Sequence, residues 1–200
     1  MKLFELYKPK IPKKVQMVAN HYFQFGFGNY DMLDYKLQEL GWHNIGAGSY
    51  SHVYSNPVKK YVLKINKHPD SAYDDFVQII KKYKNKHFPI ISNRQEWIVN
   101  NKKYYVYLIE KLYEIEKDES KLVSDALDAI ANSPNKSLEK FSNRNVQLVG
   151  KRYPPSLIEA ARILGRLMQS HPNRYTDIHD ENIMQRSDGT IVIIDPYCGK

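Results

Sequence analysis

Tyr175-Thr176-Asp177-Ile178-His179-Asp180-Glu181-Asn182-Ile183-Met184 is continued after a Ser187-Asp188-Gly189 turn by Ile191-Val192-Ile193-Ile194-Asp195-Pro196. Asp177 and Asn182 stand five positions apart in a polar loop, and Asp195 comes directly after an apolar run that reads as a strand. Taken singly, Asp177 and Asn182 could brace a turn and Asp195 could end a strand. A hairpin that returns the chain brings all three to one place, and together they form a chemical set. One carboxylate can orient a hydroxyl and accept its proton, while a neutral and an anionic oxygen can hold magnesium on phosphates.

Upstream, Pro154-Pro155 opens a helix through Leu157, Ala161, Leu164, Leu167 and Met168, stopped by Pro172. Leu122, Ala126, Leu127 and Ile130 predict a short amphipathic helix, and the polar stretch 133–145 predicts a loop. Between Trp42 and Glu110 the period shifts toward two, with strands expected over Ser51–Ser55, Lys60–Ile65, Glu96–Val99 and Tyr104–Ile109. Asn56-Pro57 is expected to join the first pair, and Asn100-Asn101 the last pair, as a tight hairpin turn. One helix lies between the hairpins, its buried face made by Tyr73, Phe76, Val77, Ile80 and Tyr83.

Two features of this β-rich part add to the chemical set. Gly46-Ala47-Gly48-Ser49 sits at a strand-to-strand turn, where missing side chains let backbone N–H groups approach phosphate oxygens, although such a turn alone is often only a turn. Lys64, in Tyr61-Val62-Leu63-Lys64-Ile65, is a lysine among core-facing neighbours. Its ammonium either snorkels to water or reaches the same phosphates.

The N-terminal part begins with a proline-stiffened leader over Lys8–Lys14. Val15, Val18, Ala19 and Tyr22 then predict one helix, and Met32, Leu33, Tyr35, Leu37 and Leu40 a second that ends at Gly41, with Gly26-Phe27-Gly28 as the break. The regular apolar faces of this segment need cover, so the helices are expected to dock on the β-rich part.

Composition narrows the classes. The chain has 200 residues, 42% of them hydrophobic, which is enough for a core and too many for a disordered chain. Thirty basic against 22 acidic side chains leave a formal charge of +8, which favours phosphate-rich or acidic ligands without choosing among them. A single cysteine, Cys198, leaves no disulfide and no Cys-based zinc site, which fits a reducing cytoplasm. No signal peptide and no apolar run long enough for a membrane span is read, so neither secretion nor membrane insertion is expected. Lys81, Lys82, Lys84 and Lys86 read as the solvated side of a helix, and without interleaved aromatic residues nucleic acid is not an expected partner. His21, His43, His52, His68, His87 and His171 lack metal-ligand spacing.

Gly-x-Gly-x-x-Ser-x-Val from Gly46 to Val53, Val-Leu-Lys ending at Lys64, Asp-x-x-x-x-Asn from Asp177 to Asn182 and Ile-Asp-Pro around Asp195, in that order, resemble the protein-kinase signature set. Ser51–Pro57, Ser71–Phe76, the run from Asp177 to Met184 and Ile194-Asp195-Pro196 are similar to the small early protein kinases of bacteriophages. The resemblance implies an α+β, bilobal, protein-kinase-like fold: an N-terminal helical extension over 1–41, a small antiparallel β lobe over 42–112 and a reduced, mainly helical lobe over 113–200. It implies ATP and Mg²⁺ as ligands and Ser/Thr of host proteins as the target. Gly46, Ala47, Gly48, Ser49, Ser51, Val53 and Lys64 would hold the phosphates, and Ile109, Glu110 and Leu112 the adenine. Asp177 would be the base, Asn182 and Asp195 the magnesium ligands, and His179 would touch the transferring phosphate.

The sequence also departs from that pattern. Ser51 replaces the third loop glycine, Tyr-Thr precedes Asp177 in place of His-Arg, and Pro196-Tyr197 replaces Phe-Gly. The inward helix position expected to carry a glutamate for Lys64 is Tyr73, and Asp74 and Asp75 lie about 100° and 200° around the helix from it. Five residues come after Asp195, and they contain neither an activation segment nor an Ala-Pro-Glu motif, which implies a truncated second lobe. Two alternatives therefore stand beside a protein kinase: a catalytically silent kinase-like module that occupies a host protein, and a phosphotransferase acting on a small molecule.

Overall fold

The computed structural model describes residues 9–25, 30–68, 70–170 and 174–199. Chain contacts divide it into two compact units. The first takes the chain up to Asp70 together with Ile90–Lys111; the second takes Ser71–Pro89 and everything from Leu112. The architecture is α+β, with one five-stranded antiparallel sheet and, among the described residues, six α-helices.

In the first unit, β1 (His43–Ala47), β2 (Ser51–Ser55), β3 (Tyr61–Asn66), β4 (Ile91–Val99) and β5 (Lys102–Glu110) pair in the order β1-β2-β3-β5-β4. Asn100 and Asn101 both adopt positive φ, 51° and 61°, as the tight β4–β5 hairpin requires. The β4 strand starts at Ile91, five residues before the expected Glu96, with a bulge between Ile91 and Asn93. Helices α1 (Lys13–Phe25) and α2 (Tyr30–Glu39) share one core with the sheet, as their apolar faces predict. Phe23 is fully buried, its ring 5.2 Å from Trp97 and 5.4 Å from Tyr104. Each such side chain contributes about 1.5–3 kcal/mol by leaving water.

The helix α2 ends as expected. Gly41 takes φ 77°, Trp42 N–H donates to Leu37 O at 2.9 Å and Gly41 N–H to Gln38 O at 2.8 Å, a pattern that closes the last carbonyls. The leader expectation over Lys8–Lys14 is corrected: Ile11 is buried in the core, where it supplies apolar area, and α1 already begins at Lys13. Gly26-Phe27-Gly28 and the Pro172 stop lie outside the described residues.

The second unit contains α3 (Ser71–Tyr83), α4 (Lys117–Asn132), α5 (Arg144–Arg152) and α6 (Pro155–Gln169), with two small two-stranded sheets. One pairs β6 (Arg174–Thr176) with β9 (Tyr197–Gly199), the other β7 (Ile183–Gln185) with β8 (Ile191–Ile193). Tyr73, Phe76, Val77 and Ile80 face inward on α3, but Tyr83, at the last position of the helix, is 39% exposed. Most of the expected loop 133–145 is irregular, apart from a short 3₁₀ turn over Leu138–Lys140. Helix α5 comes next, capped by the Asn143 side chain on Asn145 N–H.

His87, shortly after α3, is fully accounted for. Its Nδ1–H donates to Ile191 O at 2.7 Å, so Nε2 accepts from the Ser156 hydroxyl at 3.0 Å, and burial holds the ring below its usual pKa as a neutral imidazole. Helices α4 and α6 meet at Gly165, where an added Cβ would lie 2.0 Å from Ala131 O. Gly165→Ala should therefore force the two helices apart and destabilise the protein by about 1–3 kcal/mol. Urea unfolding of the two proteins checks this, and an unchanged midpoint would contradict the close approach.

Candidate functional site

The second unit holds the loop from Asp177 to Asn182 together with Asp195. Asp177 comes immediately after β6, and its N–H donates to Pro196 O at 2.7 Å. Ile194 N–H donates to Asn182 O at 3.0 Å. Asp195 is thus fixed between two neighbours, one bonded to Asn182 and the other to Asp177. The Asn182 side chain closes the loop across itself, Nδ2 donating to Asp177 O at 2.7 Å and to His179 Nε2 at 2.9 Å. A carbonyl only accepts, so Asp177 O fixes the amide orientation. Both amide hydrogens are used, and among the described residues no group donates to Oδ1 of Asn182.

His179 Nε2 is an acceptor in this arrangement, which places the ring proton on Nδ1. Its Nε2 lies 4.0 Å from Asp177 Oδ1 and its Nδ1 3.9 Å from Asp180 Oδ1. Asp177 and His179 keep 45% and 43% of their side chains exposed, so both are open to a ligand. Ser120 on α4 anchors the loop by donating to Asp180 O at 2.6 Å. A hollow of about 530 Å³ borders this loop, lined by Lys117, Lys121, Asp125, Asp128, His179 and Asp180 among others. Sequence spacing held no sign of that hollow, because α4 lies far from the loop along the chain.

In the first unit the glycine turn joins β1 to β2. Gly46, Ala47, Gly48 and Ser49 are exposed, Ser51 is buried and Val53 is half-buried. Gly48 N–H donates to Ser51 O at 3.0 Å, whereas among the described residues the Ser49 and Tyr50 N–H groups have no protein acceptor. Neither Gly46 nor Gly48 takes positive φ, and an added Cβ at either would meet nothing within 4 Å. The fold therefore requires glycine at neither position, and their open space suits a bulky ligand close to the backbone.

Lys64 lies opposite Val53 on β2 and Tyr107 on β5, and is only 6% exposed. That burial rules out the snorkelling alternative. An ammonium withdrawn from water this far depends on negative charge close by. Ile109 is buried at the end of β5; Glu110 accepts from Ile90 N–H at 2.8 Å through Oε1. Leu112, which belongs to the second unit, makes no backbone hydrogen bond among the described residues. On α3 the inward position is Tyr73, 2% exposed, as its spacing predicts.

A group of side chains that sequence reading missed stands behind the glycine turn. Tyr54 Oη donates to Asp34 Oδ1 at 2.6 Å, and Asn44 Nδ2 lies 3.3 and 3.2 Å from the two Asp34 oxygens. Asn44 Oδ1 in turn accepts from Gly46 N–H at 3.0 Å. Burial and the Asp34 charge push the Tyr54 phenol well above its ordinary pKa, keeping it a donor. The Asn-x-Gly spacing was the one local sign of this arrangement; nothing near Asp34 in sequence announces it.

Among the described residues no three His, Cys, Asp or Glu side chains converge on a common metal position. Asn182 and Asp195 would offer two oxygens, the small protein share that magnesium takes when phosphates and water supply the rest. No helix among the described residues is long and apolar enough to cross a membrane. No family model matches the chain, and no curated protein matches it.

Because the fold does not need glycine in the turn, Gly46→Ala and Gly48→Ala should leave stability unchanged or raise it by about 0.4–1 kcal/mol each, through the less flexible unfolded chain. Thermal melting tests this. A fall of several degrees would show strain at the turn.

Proposed function

We propose that the protein is an ATP- and magnesium-dependent phosphotransferase, a serine/threonine protein kinase of the phage type acting on host proteins. The observation that carries the reading is the joining of Asp177, Asn182 and the two chain neighbours of Asp195 through three hydrogen bonds of 2.7–3.0 Å. A mere turn needs no carboxamide whose nitrogen is spent internally while its oxygen stays available, next to an exposed carboxylate.

In this reading Asp177 orients the attacking hydroxyl and takes its proton as the bond to phosphorus forms. Asn182 Oδ1 and Asp195 would hold the metal, which neutralises charge on the phosphates when bound. The buried Lys64 supplies positive charge to the same phosphates, and the Ser49 and Tyr50 N–H groups of the glycine turn bind their oxygens. Ile109, Glu110 and Leu112 serve the adenine, the Leu112 backbone having no other engagement among the described residues. His179 accepts from Asn182 through Nε2 and so positions the loop, and its Nδ1–H is the donor it offers to a phosphate.

A small-molecule acceptor is the second reading, favoured by the hollow of about 530 Å³ beside His179 and Asp180, whose mixed lysines and aspartates suit a polar molecule. Incubation of wild type and Asp177→Asn with γ-labelled magnesium–ATP and bacterial extract separates the two. Label on a protein with wild type, reduced by about 10²–10⁴ in the variant at unchanged ATP affinity, is the expected result. Label recovered only on small molecules supports the second reading. ATP bound without any transfer points to the silent module and overturns both.

A further inference from the structure

We infer that Asp34, on the N-terminal helix α2, is a positioning residue for the glycine turn and acts on it through Asn44. The inference rests on the phosphotransferase reading for its consequence, and on geometry alone for the brace. The turn lies at the surface, and β1 is exposed along its whole length, so apolar packing does not hold it. A register shift between Asn44 and Gly46 also interrupts the β1–β2 pairing there. Bulges of this kind bend a strand and re-aim the residues beyond the bend, and they leave local backbone groups without ladder partners.

Asn44 fills that gap. Its Oδ1 takes the Gly46 N–H at 3.0 Å, while its Nδ2 faces both Asp34 oxygens at 3.2–3.3 Å and His52 Nδ1 at 3.1 Å. Carboxylate oxygens only accept, so Asp34 dictates which end of the amide points to Gly46. Without Asp34 the amide loses its charged partner, and the hydrogen bond that sets the base of the turn loses its orientation. Tyr54, fully buried on β2, fixes Asp34 in turn by donating to Oδ1 at 2.6 Å. The chain of bonds therefore runs from the buried sheet through α2 to the backbone at Gly46. It leaves the Ser49 and Tyr50 N–H groups open at the tip, where phosphate oxygens would bind. In this way the helical extension both covers the sheet and sets the ligand-ready shape of the turn.

A double-mutant cycle on the full chain tests this with Asp34→Ala, Asn44→Ala and the combined variant, read by amide exchange at Gly46 and by the Kd for magnesium–ATP. Each single change should raise both the Gly46 exchange rate and the Kd about tenfold, the order expected for losing one charge-supported hydrogen bond. The combined variant should be no worse than either single one, because both act through one contact. Asp34→Asn, which keeps an acceptor in place, should restore most of the affinity and covers the case in which Asp34→Ala does not fold. Unchanged Gly46 exchange in the single variants overturns the brace. A combined effect near the product of the two overturns action through Asn44, and faster exchange at unchanged Kd overturns the link to the nucleotide. A wild-type protein that binds no magnesium–ATP overturns the phosphotransferase reading instead, and the exchange cycle, which needs no nucleotide, still decides the brace.

Discussion

The hydrogen bond from Asp177 N–H to Pro196 O, 2.7 Å long, holds the start of the polar loop against the segment just past the last apolar strand. Proline has no N–H of its own, so its carbonyl is the one backbone group of that residue able to make such a tie. The β7–β8 pairing brings Ile194 to Asn182 on the other side of Asp195, and the β6–β9 pairing continues the contact from Thr176 back toward Arg174. Two-stranded pairings this short would be marginal alone. The second unit supports them with side chains and carbonyls of its helices: the Ser120 hydroxyl donates to Asp180 O, and the Tyr197 hydroxyl to Leu164 O at 2.7 Å. The candidate site is thus a product of backbone pairing, with few side-chain contacts needed to shape it.

The first unit meets a different constraint. A five-stranded antiparallel sheet has two faces, and α1 and α2 cover one of them with Val15, Ala19, Tyr22, Phe23, Leu33 and Leu37. The same helices carry Asp34, which reaches the glycine turn through Asn44. Apolar packing and one polar contact are therefore delivered by the same segment. Lys64 is buried on the same sheet, opposite Val53 and Tyr107, where an ammonium depends on opposite charge close by.

The α+β class, most of the strands, both N-terminal helices and the Asn100-Asn101 turn were legible in the sequence because each obeys a local rule of period or turn chemistry. The three-residue strands β6 and β9 were not, since three residues carry no period. Helix α5 was hidden by its charged and polar residues, with Val146 and Val149 its only fully buried positions. Asp177, Asn182 and Asp195 were legible as a set because two carboxylates and a carboxamide stand at spacings that a short strand pair brings together. The tie of Asn182 to His179, the hollow beside α4 and the Asp34 brace were not, because each depends on a meeting of groups that only tertiary structure decides.

Calorimetric titration of ATP into wild type and Asp195→Asn, with and without magnesium, tests the proposal that Asp177, Asn182 and Asp195 form one metal-assisted phosphoryl-transfer site. Magnesium should tighten ATP binding to the wild type by about tenfold or more, and the variant, which replaces an anionic metal oxygen by a neutral one, should show much less of that gain while binding metal-free ATP as the wild type does. The same magnesium-dependent gain in both proteins, or no ATP binding by the wild type, would contradict it.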